Sequence, residues 1–562
     1  MATLTIGQAF ELAQRHHLAG RIDYAQVLLR QILGSKPDHV GALKLLAQVT
    51  YQTGRADESI ELLRRAIGVS PDAADLHANL ANVLSALGRP DDAIASYQRA
   101  VALDPALAEA WNNLGAVLAR EGRAQEAVDP LRRAAALRPQ SVGTWFNLGA
   151  ALNDAGRFEE SAAAFRRVIE LQPDHVEART SLGNVLWELG RLPQAMEHLH
   201  EALRLRADFP EALVNLANCV ADERHTQEAI ELYQKAMHSP EHEAAARYNL
   251  GLLMLREGKL AEGFELYEAR RKLQKLRCGR DFPQPRWGGG RLEGRTILLH
   301  AEQGLGDTIQ LIRYVPMVIA RGGRVIVQCQ PPLRRLLEGQ CEIERLVSEG
   351  EPLGLFDVHC PLMSLPQALG TTLDSIPADV PYLFANPIQI DRWRDMLSNE
   401  PAGLRVGVAW AGNPENRNDW RRSIPLSTLA PLGQVPCVRF HSIQKGEPAK
   451  QAQCPPSGMI VKDWSDQLAD FVDTAALIAN LDLVISVDTA VAHLAGAMGT
   501  PVWLLLPKRA DWRWMLDRDD SPWYPTMKLF RQKEAGQWGE AVERVKNRLL
   551  VFSSSVARVE AT

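Results

Sequence analysis

A leucine returns every 34 residues through the first half of this 562-residue chain: Leu12, Leu46, Leu80, Leu114, Leu148, Leu182, Leu216 and Leu250. The residue after it is always small, as in Ala13, Ala81, Gly149 and Gly251. Glycine recurs in its own phase at Gly20, Gly54, Gly88, Gly122, Gly156 and Gly190, lapses at Arg224 and returns at Gly258. A second small residue follows five positions on, as at Ala25, Ser59, Ala127 and Ser161. Proline closes five of the units at Pro37, Pro71, Pro105, Pro139 and Pro173. A fixed period of this length marks an array of identical small folding units. Each position has a mechanical reading. Glycine ends the first helix of a pair in the left-handed conformation. The small residues let the paired helices approach, and leucine fills their seam. Proline stops the second helix.

Eight such units over residues 6–277 resemble the tetratricopeptide repeat. The resemblance implies helical hairpins that bury a core only by stacking, in a solenoid with a concave face. The residue before each seam leucine reads Glu11, Leu45, Asn79, Asn113, Asn147, Ser181, Asn215, Asn249. In a tetratricopeptide superhelix this position faces the groove. An amide offers donors and acceptors together, so Asn79, Asn113, Asn147, Asn215 and Asn249 are candidates to hold an extended peptide by its backbone. In this the array is similar to that of O-GlcNAc transferase. The competing reading is that these asparagines bond only within the repeats.

Composition excludes several classes. With 46% hydrophobic and 23% charged residues the chain has enough apolar content for packed cores. The net charge of -5 gives no global attraction to nucleic acid or anionic lipid. No apolar run is long enough for a transmembrane helix, and the N-terminus lacks a basic-then-apolar signal. Seven cysteines, none in a CxxC pair, fit reduced thiols and a cytoplasmic location.

Residues 278–295 form a basic linker rich in proline and glycine; nine Lys or Arg fall within residues 270–295. The pattern then changes to short apolar runs alternating with helical stretches. Strands are expected at 296–300, 324–328, 405–410, 438–443, 483–486 and 502–506, with an amphipathic helix near 308–320. Two blocks of this kind predict two Rossmann-like lobes, 296–395 and 400–550, with ligands bound beyond the carboxyl ends of the strands. The predicted fold class is therefore an α-solenoid followed by α/β.

Two strand-to-helix loops are suited to an anion. In Glu302-Gln-Gly-Leu-Gly-Asp307, Gly304 and Gly306 allow close backbone approach at a helix N-terminus. In Ser486-Val-Asp-Thr-Ala-Val-Ala-His493, amides at Asp488, Thr489 and Ala490 can cradle phosphate, and His493 follows one turn later. Asp307 and Asp488 could instead cap their helices. Gln444, after another expected strand, is placed to edge a nucleotide. Asp517-Arg-Asp519 formally matches a metal-binding DxD but reads as a surface loop. No HExxH or Cys/His cluster is present, so neither a metal nor a cofactor is expected.

The order of Gly304-Leu-Gly-Asp307, Arg422-Ser-Ile-Pro425 and Ser486-Val-Asp-Thr through Gly499-Thr-Pro501 resembles heptosyltransferase-like glycosyltransferases of the GT-B fold. The resemblance implies that Asp307 is the catalytic base and that Arg422 binds donor phosphate. It implies that Asp488 through His493 hold the nucleotide. Arg422 stands where the family usually has Lys, and the family's Trp two residues later is absent. The expected activity is metal-independent transfer of a sugar from a nucleotide diphosphate to a protein acceptor recruited by the array. A scaffold with an inactive α/β half and a nucleotide-sugar isomerase are the alternatives.

Overall fold

The structure is a computed structural model that describes residues 4–273, 282–340, 342–398, 400–414, 416 and 418–559. Part of the expected basic linker, residues 278–281, lies outside the described residues, as do Cys278, Cys341 and Arg417. The chain forms two compact units, Met1–Cys219 and Val220–Thr562.

The first unit consists of antiparallel helix pairs, beginning with Ile6–Leu18 and Ile22–Ser35, then Val40–Gln52 and Ala56–Val69. The pairing continues to Val176–Glu188 and Leu192–Leu205. The seam leucines from Leu46 to Leu182 are buried. The small positions explain the close packing. A Cβ on Gly149 would lie 2.8 Å from the Phe165 ring of the paired helix. Where serine replaces alanine, its hydroxyl is satisfied across the same contact: Ser59 Oγ donates to the Ala47 carbonyl at 2.8 Å, and Ser161 Oγ to that of Gly149 at 2.7 Å. The phase glycines adopt positive φ, 72° at Gly20 and 73° at Gly156. At the lapse, Arg224 takes the same left-handed conformation, with φ 70°. The repeat geometry there overrides a local preference worth about 1–2 kcal/mol.

The helix Pro210–Asp222 crosses the boundary between the units, so the repeat phase outruns the compact division. The second unit thus opens with repeat helices, Thr226–Ala236, Glu243–Arg256 and Leu260–Tyr267, the last extended by a 3-10 turn to Lys272. Leu255, Leu260, Phe264 and Tyr267 share one apolar core with the strands that follow.

Among the described residues ten strands follow: β1 Thr296–His300, β2 Arg324–Cys329, β3 Arg345–Ser348, β4 Val358–Pro361, β5 Leu404–Ala409, β6 Val438–Ser442, β7 Val461–Asp463, β8 Leu483–Val487, β9 Val502–Leu506 and β10 Met527–Arg531. They make two parallel sheets, ordered β3-β2-β1-β4 and β10-β9-β8-β5-β6-β7. β1, β8 and β9 are buried along their whole length, as parallel strands covered on both faces must be. In the first sheet the order reverses between β1 and β4, and in the second between β5 and β8. Loops leaving β1, β5 and β8 therefore border the crevices where such sheets take ligands. These are the Rossmann-like lobes expected from the sequence.

The helix expected near 308–320 is broken into Leu305–Leu311, a 3-10 turn Ile312–Tyr314 and Val315–Ile319. Pro316 has no amide to return to Ile312, which accounts for the break. A long closing helix, Gly539–Val559, completes the unit.

Candidate functional site

Between the two sheets of the second unit lies a cleft of about 1210 Å³. Its wall includes Gly304, Gly306, Asp307, Arg422, Gln444, Asp488, Thr489, Ala490 and His493. Every α/β residue expected to act on the nucleotide sugar thus lines one cavity, from loops after β1, β5, β6 and β8. The helices Leu305–Leu311 and Ala490–Ala497 both present their N-terminal residues to it. Amides of a first helical turn have no intrahelical acceptor, and the helix dipole makes such an end favourable for an anion.

Asp307 occupies a tight position. Its Oδ2 accepts from the Gly304 amide at 2.7 Å, closing a capping interaction, and its Oδ1 is ion-paired with Arg513. Burial pushes its pKa up; Arg513 opposes that shift and Asp511 reinforces it. Asp307 is therefore both a helix cap and a desolvated carboxyl facing the cleft.

Asp488 ends β8. Its Oδ2 accepts from the Trp514 indole at 2.9 Å, and its Oδ1 lies 3.8 Å from His493 Nε2. Burial, helped by Asp511, raises its pKa to about 6. His493 is shifted the other way, well below its ordinary value, by burial and then by Arg513, Arg313 and Arg422. The imidazole is therefore neutral. Its Nδ1 lies 2.9 Å from the Tyr524 hydroxyl.

Gly306 is needed for packing as well as for access. A Cβ there would sit 2.8 Å from His493 Cδ2, so the two cleft helices approach through this residue. Arg422 projects from the short helix Asp419–Arg422 and pairs with Asp419 at 3.0 Å. Gln444, expected to edge a nucleotide, lines the cleft, and its side-chain amide is bonded to the chain. Its Oε1 accepts from the amides of Trp410 and Ala411 at 3.0 and 2.9 Å. Its Nε2 donates to the Ala411 and Lys445 carbonyls, both at 3.0 Å. These four bonds hold the loop after β5 at the cleft wall.

Sequence reasoning missed Asp511 and Arg513, which also line the cleft. They lie in the loop after β9, whose sequence Asp511-Trp-Arg-Trp514 carries no motif. The signal available was two aromatics flanking a charge after a buried strand. The Asp517–Asp519 loop behaves as read: Asp517 is exposed and pairs with Arg224 at 2.9 Å. Among the described residues, no group of three or more His, Cys, Asp or Glu could hold a metal ion. Nor, among them, is any helix long and apolar enough to cross a membrane.

In the first unit Asn79, Asn113, Asn147 and Asn215 are half-buried, as is Asn249 in the second. Asn147 Nδ2 donates to Asn112 Oδ1 at 3.2 Å, Asn112 Nδ2 to Asn113 Oδ1 at 3.2 Å, and Asn113 Nδ2 to Asn82 Oδ1 at 3.1 Å. The amides of adjoining repeats are thus linked to one another.

Family models match a stretch in each half of the chain. Residues 12–252 match the repeat family described as the cilia and flagella-associated protein 70 C-terminal domain. Residues 469–506 match glycosyltransferase family 9 (heptosyltransferase), a stretch that holds β8, Asp488, Thr489 and His493. Protein FlbA of Caulobacter vibrioides is 26% identical over 296 residues, 49% of this chain and 49% of that protein, so the match spans about half of the relative. Among solved structures, YrrB, a TPR protein with an unusual peptide-binding site, is 19% identical and covers 33% of this chain and 95% of its own, with TM-score 0.32. The C-terminal part of a TPR repeat-containing protein from Cytophaga hutchinsonii is 14% identical and covers 43% of this chain and 99% of its own, with TM-score 0.36. The chain thus joins a tetratricopeptide-type helical array to an α/β region in which residues 469–506 match glycosyltransferase family 9 (heptosyltransferase).

Proposed function

We propose that the chain is a cytoplasmic glycosyltransferase of the paired-lobe GT-B type, moving a sugar from a nucleotide diphosphate to a protein. The observation that carries this reading is the convergence of Asp307, Arg422, Asp488 and two helix N-termini on one cleft between parallel sheets. The diphosphate would lie against Arg422 and the first-turn amides of Ala490 and Val491. The anomeric carbon–oxygen bond to phosphate breaks, and the leaving diphosphate keeps the electron pair, stabilised by these donors. The acceptor oxygen or nitrogen forms the new bond, and its proton passes to Asp307. No metal is required, because arginine and helix amides supply the positive potential. The asparagines of the array would hold the acceptor, exchanging their mutual amide bonds for bonds to an extended backbone.

One observation favours the scaffold reading instead: both Asp307 oxygens already have partners, Gly304 and Arg513. The test is thermal unfolding of the full chain with uridine, guanosine, adenosine and cytidine diphosphates, their sugars and the monophosphates, with and without chelator. A diphosphate sugar present at ~100 times its Kd should stabilise the fold by about 2.7 kcal/mol, chelator or not. No response to any nucleotide would overturn the reading. A response confined to monophosphates would overturn the diphosphate assignment.

A further inference from the structure

Arg513 has no place in the mechanism above, yet it is among the most heavily engaged side chains of the cleft. It is buried at 6% exposure. One guanidinium nitrogen meets Asp307 Oδ1 across the lobes, another meets Asp511 Oδ1 at 2.8 Å, and Nε donates to Gln310. The guanidinium lies 4.5 Å over the Trp512 ring, which fixes its plane. We infer that Arg513 is the positioning residue for Asp307, its fork fixing the carboxylate from the opposite lobe and Asp511 dividing its charge. This rests on Asp307 acting as the proton acceptor.

The physical argument follows from the burial of Asp307. A desolvated carboxyl facing no cation would hold its proton at neutral pH and could not accept another. Arg513 is the nearest opposing charge. Arg422 also favours the ionised form, whereas Asp511 disfavours it. From the helix packed on Gly306, His493 is neutral; Asp488 lies two residues before that helix, in the loop after β8. Arg513 thus favours the ionised form of Asp307 against its burial and aims the carboxylate, and Asp511 opposes that effect. A planar fork suits this better than the point charge of a lysine.

The sign is fixed. Asp307 must be ionised to act, so activity is present above its pKa. Arg513→Met should move the acidic limb of kcat against pH upward by a unit or more, with donor KM within about threefold. Arg513→Lys should give a smaller upward move. Asp511→Asn should move the limb downward while keeping the turn that Asp511 caps. The assay is nucleoside diphosphate release from whichever panel sugar the full-length wild type hydrolyses. A substrate-free readout separates this inference from the functional reading: infrared difference spectra between each variant and the same variant carrying Asp307→Asn. At pH 7 the Arg513→Met background should reveal a protonated carboxyl at position 307, and the wild-type background a carboxylate. An ionised Asp307 in the Arg513→Met protein, or limbs that stay in place, would overturn the role of Arg513. An inactive wild type with the expected spectra would overturn only the transferase reading.

Discussion

Arg270, in the 3-10 turn that ends the last repeat, donates to Glu302 Oε1 from both Nε and Nη2, at 3.2 and 2.5 Å. Arg270 is 1% exposed, and Ser364 accepts from the same nitrogen at 2.9 Å. One residue on, Gln303 Nε2 donates to the Tyr267 hydroxyl at 3.0 Å. The loop that carries Asp307 is therefore held by side chains of the repeat that precedes it. Phe264 of the same repeat packs edge-on against Trp512, beside Arg513.

A fragment cut after the repeats, residues 285–562, should therefore be far less stable than one beginning at Val220. Removing Arg270 strands a buried carboxylate, a loss of about 3–5 kcal/mol. Denaturation of the two fragments checks this; equal midpoints would contradict it.

Asp488 should make the protein more stable in mild acid than at neutral pH. The folded-state pKa of about 6 lies above the ordinary carboxylate range, so the native state holds the proton more tightly than the unfolded state. Stability then falls as pH rises through that window and levels off above it. Asp488→Asn removes the charged form while an amide oxygen can still accept from Trp514. It should stabilise the fold at pH 7 by on the order of 2 kcal/mol and flatten this part of the pH profile. Titrating the melting midpoint of both proteins between pH 4 and 8 decides it.

Gly306→Ala provides a test with an unusual sign. At an exposed helical position this change stabilises by about 1 kcal/mol. Here the added methyl meets His493 at 2.8 Å, and His493 is buried and held by Tyr524. Overpacking of this kind costs about 1–3 kcal/mol. A denaturant midpoint at or above that of the wild type would show that the cleft helices yield freely.

Changing Asn113, Asn147 and Asn215 together to Ala should weaken use of a protein acceptor by roughly tenfold or more, at ~0.5–1.5 kcal/mol for each lost hydrogen bond. Nucleotide binding in the cleft should be unchanged. The linkage of Asn147, Asn112, Asn113 and Asn82 makes a control necessary, because the substitution also removes bonds between repeats. A folded triple variant with a normal acceptor rate would assign these asparagines to repeat cohesion.

The array was legible because the seam leucine and its small neighbours recur in phase in eight units and the glycine in seven, which locates the lapse at Arg224, where the backbone is left-handed all the same. Strands β1, β2, β5, β6, β8 and β9 were legible as apolar runs. β3, β4, β7 and β10 were not: Val358-His-Cys-Pro361 and Val461-Lys-Asp463 are too short and too polar to stand out. The loops bearing Asp307 and Asp488 were legible because glycine or a small polar residue follows an apolar run. Arg513 was invisible. Its partner Asp307 lies 206 residues away, and only the opposition of two lobes brings them together.

The saturated amide of Gln444 bears on the thermodynamics of recognition. Four hydrogen bonds tie it to the loops that leave β5 and β6, so the chain itself orders this rim of the cleft. A ligand resting there does not lose affinity to the freezing of a loose segment. Association at that rim should then be limited by diffusion and desolvation, with little slow rearrangement in its kinetics.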